Sequence, residues 1–289
     1  MIRPILRSTS LRLAALAAAA LLADAALART AAAQGVLVAP TALFVDARVR
    51  TASLMLVNPN PDRVELDLSA AYGVTVTDST GALQLEMPER PDSSAPNAAG
   101  WVRMYPRRLT LEPNAQQTVR IMVSPPVGIP DGEYWSRLII TARGAKLPVT
   151  QQTDSGAVQV GLSVEVRTII PLLYRKGRVM TGATVSSVRA ERQGDSLAVR
   201  SVIERQGNAA ALGTVRAELV DSTGRTRATA QMPMSAYYTV DPRLLLPIDS
   251  VPAGRYTVRV EIASGRVDLP PEATLPFATA RDSAVVTLP

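Results

Sequence analysis

The sequence predicts an all-β fold, two immunoglobulin-like β-sandwich domains behind a signal peptide, and three observations carry that prediction. Apolar residues recur at every second position in short blocks bounded by Pro, Gly, Asn and Asp, while helical spacing is hardly seen. The first residues read as a basic segment, an apolar run and then small residues, the order of a secretory leader. The remaining length is large for one core and natural for two.

The leader comes first. Arg3, Arg7 and Arg12 precede an apolar run over 13–22, and small residues follow to Ala33. Ala26-Leu27-Ala28 and Ala31-Ala32-Ala33 both fit the small-x-small rule for cleavage, and the second is favoured because Gln34 opens a different kind of sequence. The run is shorter than the roughly 20 residues a membrane span requires, and Asp24 closes it. The expected location is therefore the periplasm, reached through a cleaved signal over 1–33. About 256 residues follow the leader.

Residues 34–178 read as the first sandwich. Its blocks include 36–38, 54–57, the alternation Val64, Leu66, Leu68 against Glu65 and Asp67, and Val119, Ile121, Val123 against Arg120 and Met122. Asn58-Pro59-Asn60-Pro61-Asp62 reads as a turn whose prolines fix φ and whose Asn and Asp side chains bond local backbone, and 88–100 reads as a loop or irregular edge. A strand is expected over 134–141, a break at the polar segment 151–156, and one long strand over 158–174. Residues 179–289 read as a second sandwich. In it Val215, Ala217 and Leu219 alternate with Arg216 and Glu218, and Tyr256, Val258, Val260 and Ile262 with Thr257, Arg259 and Glu261.

Composition excludes much chemistry. There is no cysteine and no histidine, which removes disulfides, thiol nucleophiles, the usual zinc sites and imidazole bases. The formal net charge is +6; a leader with four arginines against one aspartate accounts for about half of it, and the basic residues are scattered singly rather than gathered for nucleic acid. No glycine loop for phosphate and no Gly-x-Ser-x-Gly elbow occurs. Asp131 with Glu133 is the nearest carboxylate pair, and at the start of a strand it reads as a solvated turn. Residues 221–224 are oxygen-rich but lack the dense Asp spacing of a calcium loop. Trp101, Tyr105, Tyr134 and Trp135 read as core. The expectation is a binding protein with no enzyme activity, cofactor or metal.

Four stretches in order carry a resemblance. They are Leu54-Met55-Leu56-Val57-Asn58 with its proline turn; Tyr105-Pro106-Arg107-Arg108-Leu109-Thr110-Leu111-Glu112-Pro113-Asn114 running to Gln117-Thr118-Val119-Arg120-Ile121; Ile129-Pro130-Asp131-Gly132-Glu133-Tyr134-Trp135; and Ile170-Pro171-Leu172-Leu173-Tyr174-Arg175. Over 36–176 the chain resembles the N-terminal domain of the periplasmic pilus-assembly chaperones of the PapD-like family. The resemblance implies a chaperone that binds exported, pilin-like subunits by β-strand donation, with an outer-membrane usher as a further partner. The donating residues it implies are Val160, Leu162, Val164 and Val166, alternating so that every second side chain enters a client groove.

The family also anchors a client carboxylate between two basic side chains, and those positions fall here on Ala42 and Pro171, neither of which carries a charge. Arg167 and Arg175 are the nearest replacements for that anchor, although a solvated arginine is the simpler reading of both. A central strand of any sandwich also alternates, so the pattern equally fits a structural immunoglobulin-like envelope module without a client cycle. Were the strand an open edge, it could template another copy, giving a monomer or an edge-paired dimer.

Overall fold

Alternation fixes the strands of the first sandwich. The computed structural model describes residues 35–144, 147–153, 156–162 and 164–289, with backbone alone at 147–153, 156–162 and 272. The signal peptide expected over 1–33 and both candidate cleavage sites lie outside the described residues. The chain opens with β1 (Leu37–Ala39), β2 (Leu43–Asp46), β3 (Thr51–Val57) and β4 (Val64–Ala71), then a hairpin of β5 (Val74–Thr77) and β6 (Leu83–Glu86). After the loop over 88–100 come β7 (Val102–Tyr105), β8 (Arg108–Leu111), β9 (Gln116–Val123) and β10 (Gly132–Arg143). A second hairpin, β11 (Leu147–Thr153) with β12 (Gly156–Leu162), leads into β13 (Glu165–Lys176).

One sheet has the order β1-β3-β9-β7 and the facing one β2-β13-β10-β4-β8, an immunoglobulin-like arrangement. Val64, Leu66 and Leu68 from one sheet meet Val119, Ile121 and Val123 from the other in a common core. Burying such a side chain contributes about 1.5–3 kcal/mol, so a dozen alternating positions suffice to choose the inward face. The turn at 58–62 is held as expected from its Asn content. Buried Asn58 donates through Nδ2 to the carbonyls of Asp62, Leu111 and Glu112, and its Oδ1 accepts from the backbone and side-chain nitrogens of Asn60.

The second sandwich is built from β14 (Thr181–Gln193), β15 (Ser196–Gly207), β16 (Ala211–Val220), β17 (Thr226–Ala236), β18 (Thr239–Val240), β19 (Arg243–Pro247), β20 (Gly254–Ser264) and β21 (Ala280–Leu288). One sheet has the order β14-β15-β18, with β19 also on β15, and the other the order β17-β16-β20-β21. Val215, Ala217, Leu219, Val258, Val260 and Ile262 are buried between them. The oxygen-rich turn is closed on itself: Asp221 Oδ1 accepts from Thr223 N, Thr223 Oγ1 and Arg225 N. These bonds hold the Asp221 carboxyl below the usual range, first through the Thr223 hydroxyl.

Two expected elements differ. The strand expected over 158–174 is divided into β12 and β13, because Leu147 faces Leu162 whereas Arg143 faces Glu165 and the register slips by one residue between the pairs. The polar segment 151–156 does not simply break the pattern, since Gln151 and Gln152 belong to β11. A two-stranded ribbon outside the main sheets has no face that must be apolar.

A third apolar cluster joins the sandwiches: Tyr72, Val74, Trp135 and Leu173 from the first, Ala210, Leu212 and Tyr237 from the second. The β5–β6 hairpin reinforces it. Asp241 N donates to Thr77 Oγ1, Arg200 Nη1 to Ser79 O and Arg243 N to Gly81 O, while Leu83 packs on the second core.

Candidate functional site: an open edge on the first sandwich

The strand order leaves one edge half covered. β1 pairs with β3 in one sheet, the chain crosses at 40–42, and β2 then joins the other sheet in parallel with β13, Leu43 opposite Leu172 through Asp46 opposite Arg175. On its other side β13 pairs with β10 throughout, from Arg143–Glu165 to Gly132–Lys176. Residues 165–171 therefore have a strand on one side and, among the described residues, none on the other.

Side chains on this strand divide by parity. Ile170, Leu172 and Tyr174 enter the first core, and Val164 and Val166 continue the same face toward the sandwich end, where both are half-buried. Val166 lies over Gly35: a Cβ placed there would meet Val166 Cγ1 at 3.5 Å. Val160 and Leu162 belong to β12, and their side chains lie outside the described residues. The implied donor residues thus fall on two strands, with the register slip between Leu162 and Glu165.

The cations around the edge are held by acids of the same chain. Arg167 and Arg143 both bond Glu165, at 2.8 and 3.0 Å, and Arg167 is exposed to solvent. Those guanidiniums hold the Glu165 carboxyl below its ordinary value, the Arg167 bond first. Arg175 departs from the solvated reading. Its side chain is 16% exposed, Nε donates to Glu133 Oε2 at 2.8 Å, Nη2 donates to Ala273 O at 2.7 Å, and the guanidinium lies 5.2 Å from the Phe44 ring. It borders a cleft of about 470 Å3 between β2 and the second sandwich, lined also by Pro40, Val49 and Leu269. Ala42 is buried at the crossing and Pro171 faces Arg137 on β10.

Glu133 is the residue that sequence reasoning placed wrongly. It is not in a solvated turn: its carboxylate is fully buried, Oε1 accepting from Trp135 Nε1 at 2.9 Å and from Ala210 N at 3.0 Å, Oε2 from Arg175. The available signal was Trp135 two residues on, whose indole N–H shares that face and requires an acceptor when buried. Asp131, the other member of the pair, caps Arg178 N instead. Of the four aromatics expected in cores, Trp101 and Tyr134 pack on the first core and Trp135 in the junction. Tyr105 is exposed, because Val102 and Met104 take the inward face of β7. No group of acidic side chains with metal-ligand geometry occurs among the described residues.

No protein-family model matches the chain, and no curated protein matches it. Solved structures do match. One chain of the pre-assembly complex of the chaperone CsuC with the tip adhesion subunit CsuE, from archaic chaperone-usher Csu pili of Acinetobacter baumannii, aligns over 86% of this chain and 97% of that chain at 13% identity and a TM-score of 0.45. The CupB2 chaperone of Pseudomonas aeruginosa aligns with 87% of this chain and 100% of its own at 13% identity and a TM-score of 0.39. The Escherichia coli chaperone DraB aligns with 88% of this chain and 98% of its own at 14% identity and a TM-score of 0.39. What the chain is similar to, across most of its length and at low identity, is a set of chaperones.

Proposed function

We propose that this chain is an exported chaperone-like protein of the periplasm that holds another exported, pilin-like subunit by β-strand addition to the outer edge of β13. The observation that carries this reading is the uncovered stretch 165–171, whose inward face is continuous with the first core. An edge of this kind supplies affinity through main-chain hydrogen bonds and selectivity through alternate side chains. Val164 and Val166, half-buried at the end of the core, are the side chains that would be shared with a client, with Val160 and Leu162 extending the series along β12.

Amide hydrogen exchange tests it. In the free chain the N–H groups of Arg167 and Ile169 are expected to exchange fast, and with a purified exported pilin-type subunit to slow by about a hundredfold or more. A Val164→Glu chain with an unchanged melting temperature is expected to lose that protection. Protection already complete in the free chain and unaltered by subunits would instead mark a structural immunoglobulin-like module without a client cycle.

A further inference from the structure

The second sandwich gathers arginines that a sheet would ordinarily keep apart. Arg189 of β14 lies opposite Arg200 of β15, and Arg200 lies opposite Arg243 of β19, so three guanidinium side chains stand in one row across neighbouring strands. Residues paired in this way share a face, and with Val199 in the second core that face is the outer one. A bulge completes the row. Ser187, at φ +56°, and Val188 stand opposite Ser201 alone, and the inward positions of β14 change from Ala183 and Val185 to Val188 and Ala190. In an unbroken strand Arg189 would follow Ala183 and Val185 toward the core.

Like charges directly opposite one another are destabilising, and the chain answers this row only in part. Asp241 Oδ2 accepts from both Arg189 and Arg200, and Arg200 also donates to Ser79 O in the β5–β6 turn. Among the described residues no acid pairs with Arg243, and Arg200 Nε is buried without a hydrogen-bond partner. The three arginines line a cleft of about 530 Å3 together with Ser79 and Thr80, and Glu191 is the one acid on its lining, so positive charge prevails there. A guanidinium binds phosphate oxygens through two parallel N–H bonds, and a cleft of this size suits a small molecule better than a bare ion.

We propose that this cleft binds the phosphate group of a phosphomonoester, with Arg243 supplying the uncommitted guanidinium and Arg189 the second. The proposal is independent of the strand-addition reading above.

The full chain is titrated by calorimetry with glucose 6-phosphate and with glucose at constant ionic strength, and is sedimented with phosphatidate or phosphatidylcholine vesicles. Phosphate-dependent, saturable binding is expected. Arg243→Gln, which removes one charge-assisted contact, is expected to weaken it about tenfold or more, and Arg189→Gln to do the same from the neighbouring strand. Arg281→Gln, on the other sheet, is expected to leave it within about twofold, and melting temperatures show that the variants fold. Binding of the soluble ester alone assigns the phosphate to a small ligand, and binding of phosphatidate vesicles alone assigns it to a lipid headgroup. Equal response to glucose or phosphatidylcholine, binding that survives both cleft substitutions, or no binding of either phosphate probe overturns the proposal.

Discussion

Glu133 and Arg175 form an ion pair in which one partner, the carboxylate, has no contact with solvent. Taking a charge out of water costs several kcal/mol, and the bonds from Trp135, Ala210 and Arg175 offset that cost. Removing the charge while keeping the shape leaves Arg175 held at the junction without its counter-ion. Glu133→Gln is therefore expected to destabilise by about 3 kcal/mol, read in urea unfolding. The exposed pair Arg281–Glu261 gives the contrast: Arg281→Ala is expected to change stability by less than about 0.5 kcal/mol, because solvent already screens both charges. Equal effects at the two sites would mean that Glu133 is hydrated in solution.

At the scale of elements, the β5–β6 hairpin is the piece whose chain position and packing disagree. It follows β4 of the first sandwich, yet its turn is bonded to Arg200 and Arg243 of the second. Gly81 makes that approach possible. Its φ is +82°, and a Cβ would sit 2.8 Å from Arg243 Cβ and 3.0 Å from Arg243 N. Gly81→Val is expected to undock the turn, so that the Arg243 amide, which donates to Gly81 O, exchanges at least about tenfold faster while the Leu246 amide in the second core stays protected. The same scale shows what was readable beforehand. Strands such as β4, β9, β16 and β20 were legible, because each buries one face and period two records it directly. The slip between β12 and β13 left no mark, since alternation of residue types runs on through a change of pairing partner. The inward parity of β13 was legible for the same reason that the strands were, while its position at an edge was not: whether 165–171 lies at an edge depends on where β1 and β2 go, more than a hundred residues earlier. The burial of Glu133 was hidden similarly, its partner lying 42 residues away.

For the whole molecule, the pattern of titrating groups sets the response to pH. Asp46, Asp78, Asp92 and Asp221 are held below the ordinary carboxylate range, each first by a hydrogen bond in its own turn: from Val49, Thr80, Ser94 and Thr223 respectively. A carboxyl whose folded value is depressed contributes its stabilisation in full above its unfolded value of about 4 and loses it as pH falls through the folded one. Tyr72, Tyr134 and Tyr237 are pushed up, in each case mainly by burial, and lose their contribution as pH rises past about 10. With no histidine, no side chain of ordinary pKa changes charge between. The melting temperature is expected to be level from about pH 5 to 9 and to fall on both sides, and a step near pH 6 to 7 in thermal melts would contradict this.

The two tryptophans lie in two different places. Trp101 stands against Tyr134 and Tyr174 on the first core, whereas Trp135 is enclosed at the junction by Tyr237, Tyr238 and the guanidinium of Arg205. Only the second indole would be stripped of its neighbours if the sandwiches parted. A chain carrying Trp101→Phe thus has a built-in optical gauge, its near-ultraviolet emission shifting to the red as water reaches the seam, and the grip of one half on the other can be read in a cuvette without attaching a dye.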